Sequence, residues 1–141
     1  MAEVLNDKDT KICFVCGVEN PLGLHVPFTR QGERGSRATY TVRSEHVGWP
    51  GLIHGGLLFT LMDESVAWAL YFNGLRGVTA KAETRFRRPA PVGIPLVITG
   101  SIVERARRLV QVRAEVQRAD ADNERIADME ATMFLLDSVV Q

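Results

Sequence analysis

Residues 53–72 constrain this chain more than any other stretch. His54-Gly55-Gly56 opens a run in which Leu57, Phe59, Leu61, Met62, Trp68 and Leu70, with their apolar neighbours, occupy every face of a helix. A helix that is apolar nearly all round is buried over most of its circumference. Its two central acids, Asp63 and Glu64, therefore need a reason, because a desolvated charge is costly unless it is paired, hydrated in a cleft or functional. Adjacent helical residues point about 100° apart, so the two carboxylates cannot both address one reacting atom. One is expected to do chemistry and the other to make an ion pair. The same acids argue against a membrane span, since they would sit at mid-bilayer depth with no basic flank to anchor the helix.

The start of the helix offers a second functional feature. Glycines in the first turn let a ligand approach the backbone, and the free N–H groups there, with the positive end of the helix dipole, suit an oxygen that gathers negative charge. Tight packing of the helix start would also account for Gly55 and Gly56. If both ends act on one carbonyl, distance decides the architecture. Eight residues from Gly55 to Asp63 rise roughly 12 Å along the axis, too far for one helix to serve one carbonyl at both places. Two antiparallel copies of the helix would bring one N-terminus to the other's carboxylate, which implies a two-fold dimer with sites at its interface.

Around this helix the sequence reads as sheet. Residues 24–28 and 36–42 alternate as two strands of a hairpin around Gln31-Gly32-Glu33, followed by an irregular connection, residues 43–52, that holds His46 and Trp49. Beyond the helix, residues 78–87 alternate with Val78, Ala80, Ala82, Thr84 and Phe86 on one face and Thr79, Lys81, Glu83, Arg85 and Arg87 on the other. Residues 96–105, 109–118 and 126–136 complete a pattern of two strands, one helix and four strands. Such an order is α+β: one long helix packed on a curved antiparallel sheet.

Chain-wide properties exclude more than they identify. The 141 residues make one domain, expected over residues 13–141 behind a flexible N-terminus at 1–12, and the 17 basic and 17 acidic residues cancel. Nucleic acid and anionic membranes are not expected partners. The polar, acidic start lacks the features of an export signal, so a cytoplasmic location is expected. The single Cys13-Phe-Val-Cys16 pair is a weak metal signal, because zinc normally takes four ligands and only His25 lies close by. The turns that follow, at Gly17 and Asn20-Pro21-Leu22-Gly23, do not resemble a redox helix start, so the pair reads as packing and no metal is assigned. Between Arg76 and Arg118 ten basic residues face three acidic ones. Arg87-Arg88, at a strand end before Pro89, is the tightest basic cluster and suits phosphates.

Taken together, His54-Gly55-Gly56 with Asp63 nine residues after the histidine, the strand running from Val78 into Arg87-Arg88-Pro89-Ala90-Pro91, and the strand order resemble the hotdog-fold acyl-CoA thioesterases of the PaaI type. Cys13-Phe-Val-Cys16-Gly17 with Asn20-Pro21-Leu22-Gly23-Leu24 resembles the subgroup that includes the mitochondrial thioesterase superfamily members. The resemblance runs from about Cys13 to Leu136. It implies that Asp63 acts on the thioester as general base or nucleophile, that the Gly55 N–H of a facing subunit polarises the carbonyl, and that Thr79 holds the attacking water. His54 would support the loop and the substrate carbonyl. Gly56, Glu64, Arg87 and Arg88 would contact substrate, the arginines through the coenzyme A phosphates. No cofactor is implied, and the partner is an acyl-CoA met by a homodimer or dimer of dimers. Some relatives carry asparagine six residues before the histidine, where this chain has Gly48. Two other readings use the same fold: a hydratase or dehydratase, with His46 or His54 working beside Asp63, and an acyl-CoA-binding domain without turnover.

Overall fold

The computed structural model describes residues 11–121 and 124–136. Six strands form one antiparallel sheet: β1 (Thr29–Gln31), β2 (Gly35–Thr41), β3 (Gly77–Phe86), β4 (Pro95–Ala106), β5 (Leu109–Arg118) and β6 (Arg125–Leu135). Their spatial order is β1-β2-β4-β5-β6-β3. The single long helix among the described residues, α1 (Gly55–Tyr71), lies across this sheet. This is the α+β architecture expected from the sequence, and it is the hotdog fold: a curved sheet wrapped around one helix. No helix among the described residues is long and apolar enough to cross a membrane.

Strand alternation builds the core. Val110, Val112, Ala114 and Val116 of β5 and Ala127, Met129, Ala131, Met133 and Leu135 of β6 are buried at every second position, toward the helix. They meet Leu58, Leu61, Met62, Val66 and Leu70 of α1, none more than 3% exposed. At about 25 cal/mol per Å² of apolar surface removed from water, this ridge supplies the main drive for holding the helix in the sheet.

One glycine sets how close the helix comes. A Cβ on Gly100 of β4 would lie 2.5 Å from Ser65 Oγ and 2.7 Å from the Ser65 carbonyl carbon, so only a hydrogen lets the backbones approach this far. The contact is sealed by hydrogen bonds: Ser36 Oγ of β2 donates to the Ser65 carbonyl at 2.6 Å, and Ser65 Oγ donates to the Met62 carbonyl at 2.7 Å. Both serines are fully buried and both hydroxyls are satisfied.

Two expectations are corrected. Residues 24–28 are not the first hairpin strand; that strand is β1, and it begins at Thr29. The Leu24 and Val26 N–H groups instead donate to the Phe14 and Val15 carbonyls at 2.9 Å, and His25 has a left-handed φ of 58°. Pro27 has no N–H for a ladder. The alternation of residues 24–28 thus reflects packing of an N-terminal segment, with Val15, Leu24 and Val26 in the core. The second correction concerns β3. Its register shifts between Thr79 and Lys81, leaving Ala80 as a bulge. From Lys81 onward the expected faces hold, but before the bulge they reverse: Thr79 pairs with buried Met133 and faces the helix, whereas Val78 pairs with exposed Phe134 and turns outward.

The helix is also less enclosed than its composition predicts. Leu58, Leu61, Met62, Ser65, Val66, Ala69 and Leu70 are buried, but Phe59, Thr60, Asp63, Glu64, Ala67 and Trp68 are only half-buried. Trp68, Tyr71 and Phe72 pack on one another there, with Trp68 and Tyr71 ring centroids 4.9 Å apart. The edge strand β3 adds Val78 and Phe86, each at least half exposed.

Candidate active site

The site begins at the first turn of α1. His54 is the N-cap, with extended backbone, and its Nδ1 accepts from the Gly56 N–H at 2.9 Å. The imidazole thus does the work usually given to Ser, Thr, Asp or Asn. A Cβ on Gly56 would press on that ring at 3.1 Å, so Gly56 leaves room for the cap. Gly48 closes the other side, where a Cβ would lie 3.3 Å from His54 Cα. At Gly55 an added Cβ would only make ordinary contact with the Phe86 ring, at 3.6 Å. Packing does not demand glycine there, and the missing side chain leaves the backbone approachable. With the Gly56 N–H taken by His54 and those of Leu57 and Leu58 directed to the His54 carbonyl, the Gly55 N–H is the first-turn amide with no acceptor among the described residues.

Two turns further on, Asp63 is half-buried, and Thr79 Oγ1 donates to its Oδ1 at 2.5 Å. The bulge at Ala80 is what turns Thr79 toward the helix. The structure therefore brings Asp63 and Thr79 together, although strict alternation of β3 puts Thr79 on the face opposite Ala82, Thr84 and Phe86. Thr60, one turn before Asp63, spends its hydroxyl on the Gly56 carbonyl at 2.9 Å.

Glu64 points elsewhere. In place of the expected ion pair it meets the Cys13 thiol, which donates to Oε2 at 3.4 Å. Burial pushes the Glu64 carboxyl up to about 7. The two thiols diverge: a hydrogen bond from Cys16 holds Cys13 down at about 5, and the same bond together with burial raises Cys16 above the usual thiol range. No local pattern links Cys13 to Glu64, 51 positions away; only the folded chain joins them.

Arg87 and Arg88 follow β3 directly, and each has a carboxylate partner: Arg87 Nε donates to Asp128, and Arg88 Nε to Glu124 at 2.8 Å. Both stay substantially exposed. In the loop before α1, Trp49 is exposed and the buried His46 Nδ1 has no hydrogen-bond partner among the described residues.

Residues 50–124 match the family model of the thioesterase superfamily. The chain belongs to that superfamily, and its fold is that of the hotdog thioesterases. A crystal structure of a thioesterase superfamily protein is 30% identical, with a TM-score of 0.79; the match covers 86% of this chain and 62% of that one. This chain thus spans less than two thirds of that relative. A hypothetical thioesterase of Streptococcus pneumoniae, solved with coenzyme A, is 22% identical at a TM-score of 0.73, covering 79% of this chain and 85% of its own. The pneumococcal protein has also been solved with an Asp→Ala and with a Thr→Ala substitution, at positions sixteen residues apart. The PaaI protein of E. coli, from the phenylacetic acid degradation operon, is 22% identical at a TM-score of 0.73, covering 80% of each chain. Sequence comparison with curated proteins gives no match.

Proposed function

We propose that this chain hydrolyses an acyl-CoA thioester to the free acid and coenzyme A, with Asp63 as general base. The observation that carries the reading is the Thr79–Asp63 hydrogen bond at 2.5 Å, which fixes one carboxylate oxygen on a half-open helix face. Asp63 and Thr79 are separated by 16 positions, the same interval as the substituted aspartate and threonine of the pneumococcal relative. That relative's coenzyme A complex supports the ligand class.

In this mechanism Asp63 takes a proton from water, and the oxygen attacks the thioester carbonyl carbon. Thr79 holds the carboxylate and the water in line. The negative charge that develops on the carbonyl oxygen is met by the Gly55 N–H at the α1 N-terminus of a second copy. As the tetrahedral intermediate collapses, the C–S bond breaks and the protonated Asp63 returns its proton to the leaving thiolate. The half-exposed face of α1 and the apolar residues on the β3 edge support pairing of two copies across this site. Arg87 and Arg88 would meet coenzyme A phosphates by exchanging their carboxylate partners for the ligand. His54 acts by shaping the helix start, because its Nδ1 is committed to Gly56.

The test is thiol release from short, long and aromatic acyl-CoAs by the purified chain. Turnover of at least one class is expected. Loss of crotonyl-CoA absorbance without thiol release would indicate a hydratase, and tight binding without either reaction would indicate a binding domain.

A further inference from the structure

Cys13, Cys16 and Glu64 lie outside the proposed reaction, and the geometry points to a binding site for a thiophilic divalent cation of the zinc class, held by their two sulfurs and one carboxylate oxygen. The three ligand atoms all lie within 4.8 Å of one another. Zinc–sulfur and zinc–oxygen bonds of about 2.3 and 2.0 Å at tetrahedral angles place a sulfur and an oxygen on one ion about 3.5 Å apart. Cys13 Sγ and Glu64 Oε2 are 3.4 Å apart.

The loop that carries the cysteines is built for this arrangement. Its backbone folds back, with the Gly17 N–H donating to the Cys13 carbonyl at 2.8 Å and the Cys16 N–H reaching Cys13 Sγ at 3.5 Å. An N–H directed at sulfur supports the thiolate that a metal requires. Gly17 cannot be replaced without moving backbone, because a Cβ there would lie 2.4 Å from both the Cys13 nitrogen and the Lys11 carbonyl oxygen. The following turn is tied to the same loop: Asn20 Nδ2 donates to the Ile12 carbonyl at 3.1 Å, and the Leu24 N–H to the Phe14 carbonyl. The knuckle is therefore a defined structure docked on α1.

The surroundings of Glu64 favour a cation over simple packing. Its carboxylate meets Cys13 Sγ at 3.4 Å, has the Cys16 sulfur within 4.8 Å, and follows Asp63 directly in the chain. Acidic groups gathered in a half-buried place are stabilised by a positive charge, and none comes from a described side chain. His25 is not a fourth ligand: it lies outside the Cys13, Cys16 and Glu64 group, and its Nε2 meets the Asn20 carbonyl at 2.7 Å. Two sulfurs and one carboxylate are too soft a set for magnesium or calcium and suit zinc, with water at the fourth position. Binding takes both sulfurs as thiolates and Glu64 as carboxylate, so any proton these three groups still hold passes to solvent. The metal would fasten the N-terminal knuckle to the middle of α1, beside Asp63.

The test is titration of the reduced, chelator-stripped full chain with Co(II), followed by optical absorption. One cobalt per chain is expected, with a thiolate-to-cobalt charge-transfer band and tetrahedral d–d bands that zinc abolishes. Cys16→Ser should remove the charge-transfer band of the two-sulfur site, and Glu64→Gln should weaken binding about tenfold or more. Since a cysteine variant could misfold, the wild-type chain is also melted with and without zinc, and a rise in Tm is expected. A wild-type chain without a charge-transfer band, a Tm indifferent to zinc, or equal cobalt affinity in Glu64→Gln would each overturn the three-ligand site.

Discussion

Thr79 and Asp63 meet across the gap between the edge strand and the helix, Oγ1 to Oδ1 at 2.5 Å, because a bulge at Ala80 turns the threonine inward. The hydroxyl is thus expected to matter more than the side chain's shape. Thr79→Val should lower kcat about ten- to hundredfold, the scale of a misplaced reacting group, while Thr79→Ser keeps most of the activity. Steady-state thiol release checks both.

His54 caps α1 through its ring, so His54→Ala should cost about 0.5–2 kcal/mol of stability. Urea denaturation measures it. His54→Asn, which keeps a capping acceptor, should recover much of the loss.

A Cβ on Gly100 would meet the Ser65 carbonyl carbon and oxygen at 2.7 and 2.8 Å as well as the buried Oγ at 2.5 Å, so the helix backbone itself would have to move. Gly100→Ala is expected to destabilise the fold by about 1–3 kcal/mol through overpacking, visible as a lower denaturation midpoint. An unchanged midpoint would mean that the helix can lift from the sheet at no cost.

The proposed pairing of two copies predicts that a charge on the β3 edge weakens assembly. Val78→Asp, at a half-exposed outward position, should shift sedimentation of the chain toward the monomer and lower activity in parallel. Full activity in a monomer would remove the second copy from the mechanism.

Much of this was legible in the residues themselves. The apolar run after His54-Gly55-Gly56 could only be a packed helix, and the alternation in β5 and β6 could only be half-buried strands. Other features depend on contacts that no local pattern encodes. The bulge at Ala80 comes from pairing with β6, and it moved Thr79 to the face opposite the one its alternation implied. The regular spacing of residues 24–28 mimicked a strand because those residues pack under the Phe14–Val15 backbone. An ion pair is the default expectation for the second acid of α1, whereas the folded chain brings Glu64 to the Cys13 sulfur. Arg87-Arg88 stands out in the sequence as the tightest basic cluster, and its acid partners, one in β6 and one just before it, appear only in the fold.

The central claim rests on Asp63, and the most direct measurement is thiol release by Asp63→Asn beside the parent chain and Glu64→Gln, on the best acyl-CoA of the panel. Losing a general base should lower turnover by about two to four orders of magnitude, with Glu64→Gln much less affected. Near-normal turnover in Asp63→Asn, or a deeper loss in Glu64→Gln, would contradict the account.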